Sequence, residues 1–424
     1  MNDSSGRHTV GVVGLGYVGL PLALAFAREG DEVVGLDVDP RKVEQIRAGE
    51  SFIEDVSGSE LADVVSQGLL SATTNYDDLT RVDAVVICVP TPLTRNRQPD
   101  LGPVLDSAAS LSRVLRRDQV VVLESTTYPG TTRERLVPLL EESGLAAGRD
   151  FHVAFSPERV DPGRSDFTLR NTVKILGGLT PECSARAKQL YDRVCDNVMV
   201  VSTTEAAEMS KLLENIFRSV NIALVNELAM LCERLDIDIW EVIDAASTKP
   251  FGFMRFDPGP GMGGHCLPVD PFYLAWRARE FDFYTEFIEL AGKINQNMPY
   301  FCVDKIERVL NDHGKPVNGS RILLLGVSYK PGVGDLRESP ALKIIKLLGG
   351  RGADLVYHDP HVPSLREPPL ESVPFEPELE AADLVVIVTA HPELDYRRVA
   401  SDARLVLDFR GVTRGIDSGN LVRL

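Results

Sequence analysis

Short apolar runs alternate with amphipathic stretches along the first half of the chain. Val10-Gly11-Val12-Val13 and residues 32–36 are typical of buried strands, and residues 20–29 between them have the apolar spacing of a helix. The same pattern predicts further strands at 84–89, 120–123, 151–155 and 173–177. Strands that alternate with helices predict a doubly wound parallel sheet, which binds its ligands beyond the carboxyl ends of the strands.

One long helix is predicted from Thr204 to about Leu235, where the chain has no proline or glycine and apolar residues recur at helical spacing. The residues Ser202-Thr203-Thr204-Glu205 carry a capping-box signature at its start. Glu208, Lys211 and Asn215 share one polar face of this helix, and a polar face is ordinarily solvated.

A second α/β pattern begins at Ser320. It consists of predicted strands at 321–326, 355–357, 384–388 and 405–407 and a helix at 340–348. A shorter helix is predicted at 239–246, before this pattern begins. This part lacks the full glycine fingerprint, which favours a nucleotide without dinucleotide geometry. Tyr329, Lys330 and Arg337 lie in its loops and offer hydrogen bonds and positive charge to phosphate groups.

The first strand leads into Gly14-Leu15-Gly16-Tyr17-Val18-Gly19, a GxGxxG motif that opens a helix. Its glycines permit a tight turn and a close approach of the backbone, and the start of the helix offers free N–H groups to a pyrophosphate. Asp37 ends the second strand, where a carboxylate accepts the ribose hydroxyls and repels a 2′-phosphate. Lys42 is within reach of the same ribose or phosphate. The motif therefore predicts NAD as the cofactor, in preference to NADP.

Three polar loops follow later strands of the predicted sheet, namely Val89-Pro90-Thr91-Pro92, Glu124-Ser125-Thr126-Thr127 and Ser156-Pro157-Glu158. Because the carboxyl ends of parallel strands meet at one edge of a sheet, we expect these loops to line one crevice. Pro90, Thr91 and Thr126 are accordingly predicted to contact the cofactor.

The stretch Gly261-Met262-Gly263-Gly264-His265-Cys266-Leu267-Pro268-Val269-Asp270 combines glycines, a thiol and a carboxylate. Glycines let the backbone approach a bulky ligand, and Asp270 is placed to handle protons for a Cys266 thiolate that attacks carbon. The spacing of thiol and carboxylate is a weak signal by itself, and it leaves a buried structural cysteine as an open alternative.

Composition indicates a globular protein of two or three domains. Of the 424 residues 44% are hydrophobic and 25% charged, and the net charge of −17 argues against binding to nucleic acid or to an anionic membrane surface. The six cysteines lack the paired spacing of disulfides or metal sites, so we expect no metal and a reducing, cytoplasmic location. The polar first residues and the lack of an apolar run of about 18 residues predict neither a signal peptide nor a membrane span.

A resemblance to a known family covers essentially the whole chain. The stretches that carry it are Gly14 to Ala23, Cys88 to Leu93, Glu124 to Thr132, Ser156 to Arg159, Lys211 to Asn215, Gly263 to Cys266 and Arg337 to Pro340. With them the chain resembles the UDP-glucose/GDP-mannose dehydrogenase family, most closely its UDP-N-acetylglucosamine 6-dehydrogenase branch. The resemblance implies oxidation of the C6 alcohol of a UDP-sugar to a carboxylate with two NAD⁺ per substrate, for precursors of bacterial-type surface polysaccharides.

The family also implies a fold, namely two Rossmann-like doubly wound domains joined by a long central helix and a small helical dimerisation domain. The predicted boundaries are 1–203 for the NAD-binding domain, 204–300 for the central domain with the catalytic loop, and 301–424 for the UDP-sugar-binding domain. The expected assembly is a homodimer built on the long helix, with a higher oligomer left open.

By the same resemblance Cys266 attacks the sugar aldehyde and carries the thiohemiacetal and the thioester of the second oxidation. Lys211 favours the thiolate and, with Asn215, stabilises the developing oxyanion, while Asp270 and Thr126 orient and deprotonate the water. The residues implied to bind the substrate are Glu158, Arg159, Lys211, Asn215, Gly263, His265, Tyr329, Lys330 and Arg337.

The site departs from the pattern of UDP-glucose dehydrogenases in the following residues. Glu158 matches the family's catalytic acid after Ser-Pro, but the second glutamate expected four residues later is Pro162 here, with Asp161 beside it. His265 stands where these enzymes usually carry serine, as it does in enzymes that act on N-acetylated sugars. It either shapes an acetamido pocket or is a loop histidine satisfied by backbone groups.

The stretch Thr127-Tyr128, where mannosamine enzymes more often show Ser-Pro, favours UDP-GlcNAc as the substrate. A UDP-ManNAc or UDP-glucose 6-dehydrogenase stays open, as does a catalytically silent nucleotide-sugar-binding protein. The intact set of Lys211, Asn215, Cys266 and Asp270 argues against the silent protein.

Overall fold

A computed structural model describes residues 8–53, 56–94, 96–160, 166–264 and 269–424 of the chain. The chain forms two compact units. Unit 1 comprises Met1–Glu214 and Phe272–Phe283, and unit 2 comprises Asn215–Pro271 and Tyr284–Leu424.

The described part of unit 1 is built on one eight-stranded sheet. Its strands are β1 (Thr9–Val13), β2 (Glu32–Leu36), β3 (Leu70–Thr73), β4 (Ala84–Ile87), β5 (Val120–Leu123), β6 (His152–Phe155), β7 (Lys174–Gly178) and β8 (Val198–Val201). They lie in the order β3-β2-β1-β4-β5-β6-β7-β8. Neighbouring strands are parallel except β6 and β7, which are antiparallel.

Helices cover both faces of this sheet. They are α1 (Gly19–Arg28), α2 (Pro40–Arg47), α3 (Gly58–Ser66), α4 (Gly102–Ser112), α5 (Val137–Glu141) and α6 (Pro181–Tyr191), with a 3₁₀ helix at Tyr76–Arg81 and a π-helical turn at Thr132–Leu136. Because successive strand residues point to opposite faces, Val10 and Val12 of β1 pack in one apolar layer with Leu22 of α1. Val13 packs in the other layer with Val104 of α4.

The doubly wound α/β fold predicted for this half is confirmed, with one exception to parallel pairing. A parallel pair needs a crossover connection, usually helical, and the described residues between Phe155 and Lys174 contain no helix. The chain therefore returns as an antiparallel strand, which corrects the prediction of an all-parallel sheet. The sequence analysis also missed β3, which is short and partly polar, and β8, whose apolar run is half exposed.

The long predicted helix is confirmed as α7 (Thr204–Leu235). Its cap is Thr203, whose Oγ1 accepts the N–H of Ala206 at 3.0 Å. Because the cap is Thr203 and not Ser202, Glu205 is not at the capping-box position, and its carboxylate accepts hydrogen bonds from Arg133 at 2.6 Å and from the Thr204 hydroxyl at 3.0 Å. The predicted capping box is thus replaced by a single threonine cap.

Unit 2 contains the second Rossmann-like pattern, which is confirmed. The remaining helices of the described chain are α8 (Ile239–Ser247), α9 (Asp270–Arg279), α10 (Glu286–Asp312), α11 (Pro340–Gly350), α12 (Phe375–Ala381) and α13 (Tyr396–Asp402). Of these, α9 begins in unit 2 but has most of its residues in unit 1. The strands are β9 (Arg321–Leu325), β10 (Asp354–His358), β11 (Ser364–Leu365), β12 (Leu370–Glu371), β13 (Leu384–Ile387), β14 (Val406–Asp408) and β15 (Leu421–Arg423). A parallel sheet has the order β10-β9-β13-β14-β15.

The helices and the second sheet of unit 2 share one core. Trp240 of α8 and Cys302 of α10 pack in the same apolar cluster as Ile322 and Leu324 of β9. Among the described helices of the whole chain, none is long and apolar enough to cross a membrane.

Candidate active site

The three glycines of the fingerprint in unit 1 have distinct structural roles. Gly14 has a φ of 91°, and a Cβ placed on it would lie 2.8 Å from the carbonyl oxygen of Cys88. A Cβ on Gly19 would lie 1.8 Å from the Gly14 carbonyl, so only glycine lets α1 pack this closely on the loop. No described atom lies within 4 Å of the corresponding position at Gly16. The backbone at Gly16, followed by the exposed Tyr17, is thus open to a pyrophosphate, as the prediction of NAD requires.

Asp37 lies at the carboxyl end of β2 and is buried. One carboxylate oxygen accepts the N–H of Leu15 at 2.9 Å and lies 3.1 Å from Lys42 Nζ, and the other accepts the N–H of Asp39 at 2.9 Å. The carboxylate therefore holds the glycine loop in place, and its contact with a ribose stays a prediction. Lys42, predicted to reach the ribose or a phosphate, pairs with Asp37 in this structure.

Replacing Asp37 by serine is expected to narrow the preference for NAD⁺ over NADP⁺ by about tenfold or more in kcat/KM, because the charge that repels a 2′-phosphate is lost. Steady-state NADH and NADPH production with one sugar substrate measures the ratio. Asp39→Ser is the matched control, since Asp39 is a nearby acid that caps α2 and pairs with Arg41. A wild-type chain that uses both cofactors equally would contradict the role of Asp37.

The loops after β4, β5 and β6 lie along one edge of the sheet of unit 1, as predicted. Pro90 is exposed and Thr91 is half-buried in the first loop. Ser125 Oγ donates to the Val89 carbonyl at 2.7 Å and ties the second loop to the first. Thr126 follows directly and is half-buried. The first two loops are thus joined at the carboxyl ends of β4 and β5, and contact of Pro90, Thr91 and Thr126 with the cofactor stays a prediction.

Helix α9 packs against the same loops through its unit 1 residues. Tyr273 donates its hydroxyl to the Pro92 carbonyl at 3.1 Å, and the rings of Trp276 and Tyr128 lie 5.1 Å apart between centroids. Arg277 donates to the Pro129 carbonyl at 3.2 Å. The segment that follows the predicted catalytic loop in the chain is thereby fixed to the cofactor side of unit 1.

Glu158 lies just beyond β6, and its carboxylate is held from several sides. One oxygen accepts the N–H groups of Arg159 and Val160 at 2.9 and 2.6 Å, and the other lies 3.2 Å from Lys174 Nζ. Burial raises the pKa of Glu158, but the charge of Lys174, the Val160 N–H and the charge of Lys211 outweigh it and leave the pKa below its usual value. Glu158 is therefore a carboxylate at neutral pH.

Arg159 and Lys211, both predicted to bind substrate, lie in unit 1 near this carboxylate. The Arg159 guanidinium donates to the Val173 carbonyl at 2.6 Å and pairs with Glu214 of α7 at 2.7 Å. Lys211 is half-buried on α7. Asp161 and Pro162, where the departure from the family pattern falls, lie outside the described residues.

Two of the three residues on the polar face of α7 are buried, contrary to the general expectation of a solvated face. Glu208 is fully buried and accepts the N–H groups of Gly130 and Thr132 at 2.6 and 2.8 Å and the Thr132 hydroxyl at 2.7 Å. Burial raises the pKa of Glu208 to about 7, although these donors oppose the shift. Asn215 is buried as well. Glu208 therefore holds the loop of Gly130 and Thr132 against α7 instead of meeting water.

Within unit 2, Asn215 and Asp270 form a buried pair in which Asn215 Nδ2 donates to Asp270 Oδ2 at 2.5 Å. Asp270 is the first residue of α9. His265 and Cys266 lie outside the described residues, so their roles stay predictions.

The loop that leads to Cys266 packs on the second Rossmann-like domain of unit 2. Gly264 donates its N–H to the Arg337 carbonyl at 2.8 Å, and a Cβ on Gly263 would lie 2.4 Å from Tyr329 Cβ. Two buried asparagines hold the start of the loop, since Asn226 accepts the Gly259 N–H at 2.9 Å and donates to Asn295 at 2.9 Å. Sequence analysis missed this amide pair, because neither residue stands out without its partner.

The phosphate-binding residues predicted in unit 2 lie around this contact. Lys330 accepts a hydrogen bond from Ser328 Oγ at its carbonyl, and the Arg337 guanidinium is partly exposed and pairs with Asp335 at 2.6 Å. Arg337 thus keeps a positive group at the surface next to Tyr329.

His391 is a further residue that sequence analysis missed. It is buried, and with His361 and Glu393 it comes close enough to form a metal site among the described residues. Both of its ring nitrogens are engaged, however, because Nδ1 accepts the Gly332 N–H at 3.3 Å and Nε2 lies 3.1 Å from Asp359. It therefore serves to hold the loop that carries Tyr329 and Lys330.

Three domain models match consecutive parts of the chain. The NAD binding domain of the UDP-glucose/GDP-mannose dehydrogenase family matches residues 8–195, its central domain matches 205–297, and its UDP binding domain matches 323–415.

Similar proteins cover nearly the full length of the chain. A UDP-N-acetyl-D-glucosamine 6-dehydrogenase from Pseudomonas aeruginosa is 36% identical over 389 residues, which are 91% of this chain and 90% of that protein. A UDP-N-acetyl-D-mannosamine dehydrogenase from Pyrococcus horikoshii is 36% identical over 426 residues, which are 96% and 99%. The solved structure of a UDP-D-ManNAc dehydrogenase from Pyrococcus horikoshii has a TM-score of 0.89 at 34% identity and covers 98% of both chains.

Proposed function

Because the chain belongs to the UDP-glucose/GDP-mannose dehydrogenase family and is an NAD-dependent nucleotide-sugar dehydrogenase, we propose that it oxidises the C6 alcohol of UDP-GlcNAc to the uronic acid. The observation that carries the proposal is the packing of Gly263 and Gly264 against Tyr329 in the UDP binding domain. A sugar attached to UDP in that domain is presented to the loop of Cys266. The three-domain division at 203/204 and 300/301, and a role in surface polysaccharide precursor synthesis, belong to the same proposal.

The proposed reaction consists of two oxidations and one hydrolysis. Loss of a proton and a hydride converts the C6 alcohol to an aldehyde. NAD⁺ held by the glycine fingerprint and Asp37 would supply the hydride acceptor for both oxidations. The Cys266 thiolate adds to the aldehyde carbon and forms a thiohemiacetal, whose loss of a second hydride gives a thioester. Water then cleaves the carbon–sulfur bond, which releases the carboxylate and restores the thiol.

We assign the proton and charge steps to residues of suitable chemistry. The ammonium of Lys211 favours the thiolate, which is a minor form of a free thiol at neutral pH. The side-chain amide of Asn215 has two N–H groups. One donates to Asp270, and we propose that the other donates to the oxyanion. Asp270 and Thr126 orient and deprotonate the hydrolytic water, and Glu158 supplies a further carboxylate.

The N-acetylated sugar class is supported by the Gly-Gly-His-Cys sequence at 263–266 and by the relatives named above. The relatives named for GlcNAc and for ManNAc are equally identical to this chain, so the choice of UDP-GlcNAc depends on Thr127-Tyr128. UDP-ManNAc and UDP-glucose are the alternative substrates. A catalytically silent nucleotide-sugar-binding protein is the alternative outside enzymes.

The test is a panel of UDP-GlcNAc, UDP-ManNAc and UDP-glucose with NAD⁺, followed by NADH absorbance and mass spectrometry of the product. We expect uronic acid, two NADH per sugar, and a kcat/KM for UDP-GlcNAc about tenfold or more above the others. A higher value for another sugar would replace the substrate in the proposal. Binding of UDP-sugars without NADH production would indicate the silent protein.

We also propose a homodimer built on α7, without excluding a higher oligomer. Large exposed apolar side chains lie on one face of this helix at Phe217, Leu224, Leu228, Leu231 and Leu235. Successive members are seven, four, three and four residues apart, which is the spacing of a coiled-coil seam, and a stripe of this kind in water marks an interface.

The variant Leu228→Glu is expected to sediment mainly as a monomer, because a carboxylate would be buried without a partner in the seam. Analytical ultracentrifugation across a range of concentrations measures the shift in the monomer–dimer equilibrium. Glu227→Gln, at the exposed neighbouring position, is the control and is expected to stay dimeric. A Leu228→Glu chain that associates like the wild type would place the interface elsewhere.

A cytoplasmic location completes the proposal. The described cysteines Cys88, Cys183, Cys195, Cys232 and Cys302 are free thiols. Free thiols are usual in a reducing compartment, which would also keep Cys266 reduced.

A further inference from the structure

The antiparallel strand of unit 1 brings a lysine to the edge of the sheet where ligands bind. In the register of β6 and β7, Phe155 pairs with Gly177 and Ala154 with Gly178. Because the strands run in opposite directions, the same register continued past Phe155 brings Lys174 level with Glu158. A parallel β7 would have placed its first residue at the opposite edge of the sheet. The exception in the topology thus has a chemical consequence at the carboxyl ends of the strands.

Lys174 lies in a buried group of charges formed by neighbouring strand ends. Its side chain is 3% exposed, its ammonium pairs with Glu124 beyond β5, and Nζ lies 3.2 Å from Glu158 Oε2. Glu124 in turn accepts a hydrogen bond from Cys88 Sγ at 3.3 Å. Nζ also lies 5.1 Å from the centroid of the Tyr191 ring. The lysine therefore has a fixed position between two carboxylates.

The pKa values of the two carboxylates shift in opposite directions. Burial raises the pKa of Glu124 above its usual value in spite of Lys174, whereas the pKa of Glu158 is lowered by Lys174 and by backbone N–H groups that overcome its burial. Burial opposes the charge on Lys174, but the two carboxylates outweigh it and raise its pKa. A buried ion group of this kind is weak support for stability, since well-packed apolar residues often do as well. Its position next to a reactive edge indicates a functional reason.

We propose that Lys174 is a positioning residue that holds the Glu158 carboxylate charged and in one orientation for the reaction of the UDP-sugar. The proposal deepens the function given above and rests on it. Glu158 is the group that meets the substrate, and Lys174 acts through Glu158 without touching the sugar. Glu124 anchors the lysine from the opposite side.

Other charged groups near Glu158 also affect the pKa of its carboxylate. Lys211 of α7 adds positive charge, and Arg159 supplies a backbone N–H while its guanidinium pairs with Glu214. Glu124 adds a negative charge that opposes ionisation of Glu158 when it is itself ionised. Lys211 and the backbone donors persist in a Lys174 variant, so a change in that variant isolates the share of Lys174.

The experiment compares Lys174→Met, Lys174→Arg and the double variant Glu124→Gln/Lys174→Met with the wild type. The double variant removes the lysine together with the partner that would otherwise be buried without a counter-charge. In Lys174→Met and in the double variant, we expect kcat to fall about tenfold to a hundredfold at pH 7. The acid limb of the kcat profile is expected to move up by about one pH unit or more in Lys174→Met, while the KM for NAD⁺ is unchanged. A smaller upward shift is expected in the double variant, because loss of the Glu124 charge offsets part of the change. Lys174→Arg keeps the positive charge and is expected to retain most of the wild-type kcat and the wild-type position of the acid limb.

Lys188→Met is the matched control, because Lys188 is an exposed lysine of α6 that pairs with Asp192 at 2.6 Å. Its pH profile is expected to coincide with that of the wild type. A double variant that folds and keeps both the wild-type rate and the acid limb would overturn the inference, as a purely structural lysine predicts that result.

A second experiment measures the pKa of Glu158 in the absence of substrate. Infrared difference spectra between the wild type and Glu158→Gln, recorded as a function of pH, isolate the carboxylate band of Glu158. We expect this band to titrate below the pKa of an ordinary glutamate in the wild type and at higher pH in the double variant. Titration at the ordinary value in the wild type would refute the inference. Absence of NADH in the sugar panel with the expected infrared shift would instead refute the proposed function.

Discussion

Replacing Cys266 by alanine is expected to abolish uronic acid production, with a loss of about a thousandfold or more, because the second oxidation has no thiol on which to form its adduct. The first hydride transfer needs no thiol, so a trace of NADH and of the sugar aldehyde is expected to persist. Product analysis by mass spectrometry, with a carbonyl-trapping reagent present, separates aldehyde from acid. NADH counted per sugar consumed gives an independent measure.

Two further variants make this result specific to Cys266. Cys266→Ser is expected to form an ester that hydrolyses slowly, which adds the mass of the sugar nucleotide to the peptide that contains residue 266. Cys232→Ala, at a buried thiol in the core of unit 2, controls for the loss of a packed cysteine and is expected to keep the full product pattern. Near wild-type acid production by Cys266→Ala would show that the thiol is structural, the alternative that its spacing from Asp270 left open.

The elements that the sequence predicted correctly are those whose signal is local. The glycine fingerprint needs only a strand, three glycines and a helix in succession, and the positions of Gly14, Gly16 and Gly19 agree with their expected roles. The long helix α7 was predictable because its apolar spacing is uninterrupted from Thr204 to Leu235. In both cases the pattern of neighbouring residues is enough to predict the element.

The parts that were not predictable depend on partners distant in sequence. Lys174 begins an apolar strand, and a charge at that point was the only local sign of its pairing with Glu124, fifty positions away. Glu208 looked like a solvated residue until its hydrogen bonds to Gly130 and Thr132 were known. A helical wheel gives the face on which a residue lies, but it cannot give the loop that covers that face.

The direction of β7 belongs to the same class. Its residues, Lys-Ile-Leu-Gly-Gly, have the apolar character of any buried strand, and nothing in them distinguishes parallel from antiparallel pairing. The connection from Phe155 decides the direction, because it has no described crossover helix. Connection length and content are therefore better guides to strand direction than the strands themselves.

The pair of Asn215 and Asp270 gives the second prediction of large effect. Asp270→Asn is expected to slow hydrolysis of the thioester by about a hundredfold or more, because the carboxylate that we assign to deprotonate the water is lost. The amide oxygen of the new residue can still accept the hydrogen bond from Asn215 Nδ2, so the fold is expected to persist. Both oxidations precede hydrolysis, and rapid mixing with NAD⁺ and UDP-sugar is therefore expected to show a burst of two NADH per site before a slow steady state.

Mass spectrometry of the Asp270→Asn chain quenched after the burst is expected to find the uronyl adduct on the peptide of Cys266. Asp312→Asn, at the exposed end of α10, is the control and is expected to show neither burst nor adduct. Cys266→Ala and Asp270→Asn thus divide the reaction at different points, since the first variant stops before the adduct and the second stops after it. Steady acid production by Asp270→Asn at the wild-type rate, without a burst, would contradict the role of Asp270 and would assign the activation of water to another group.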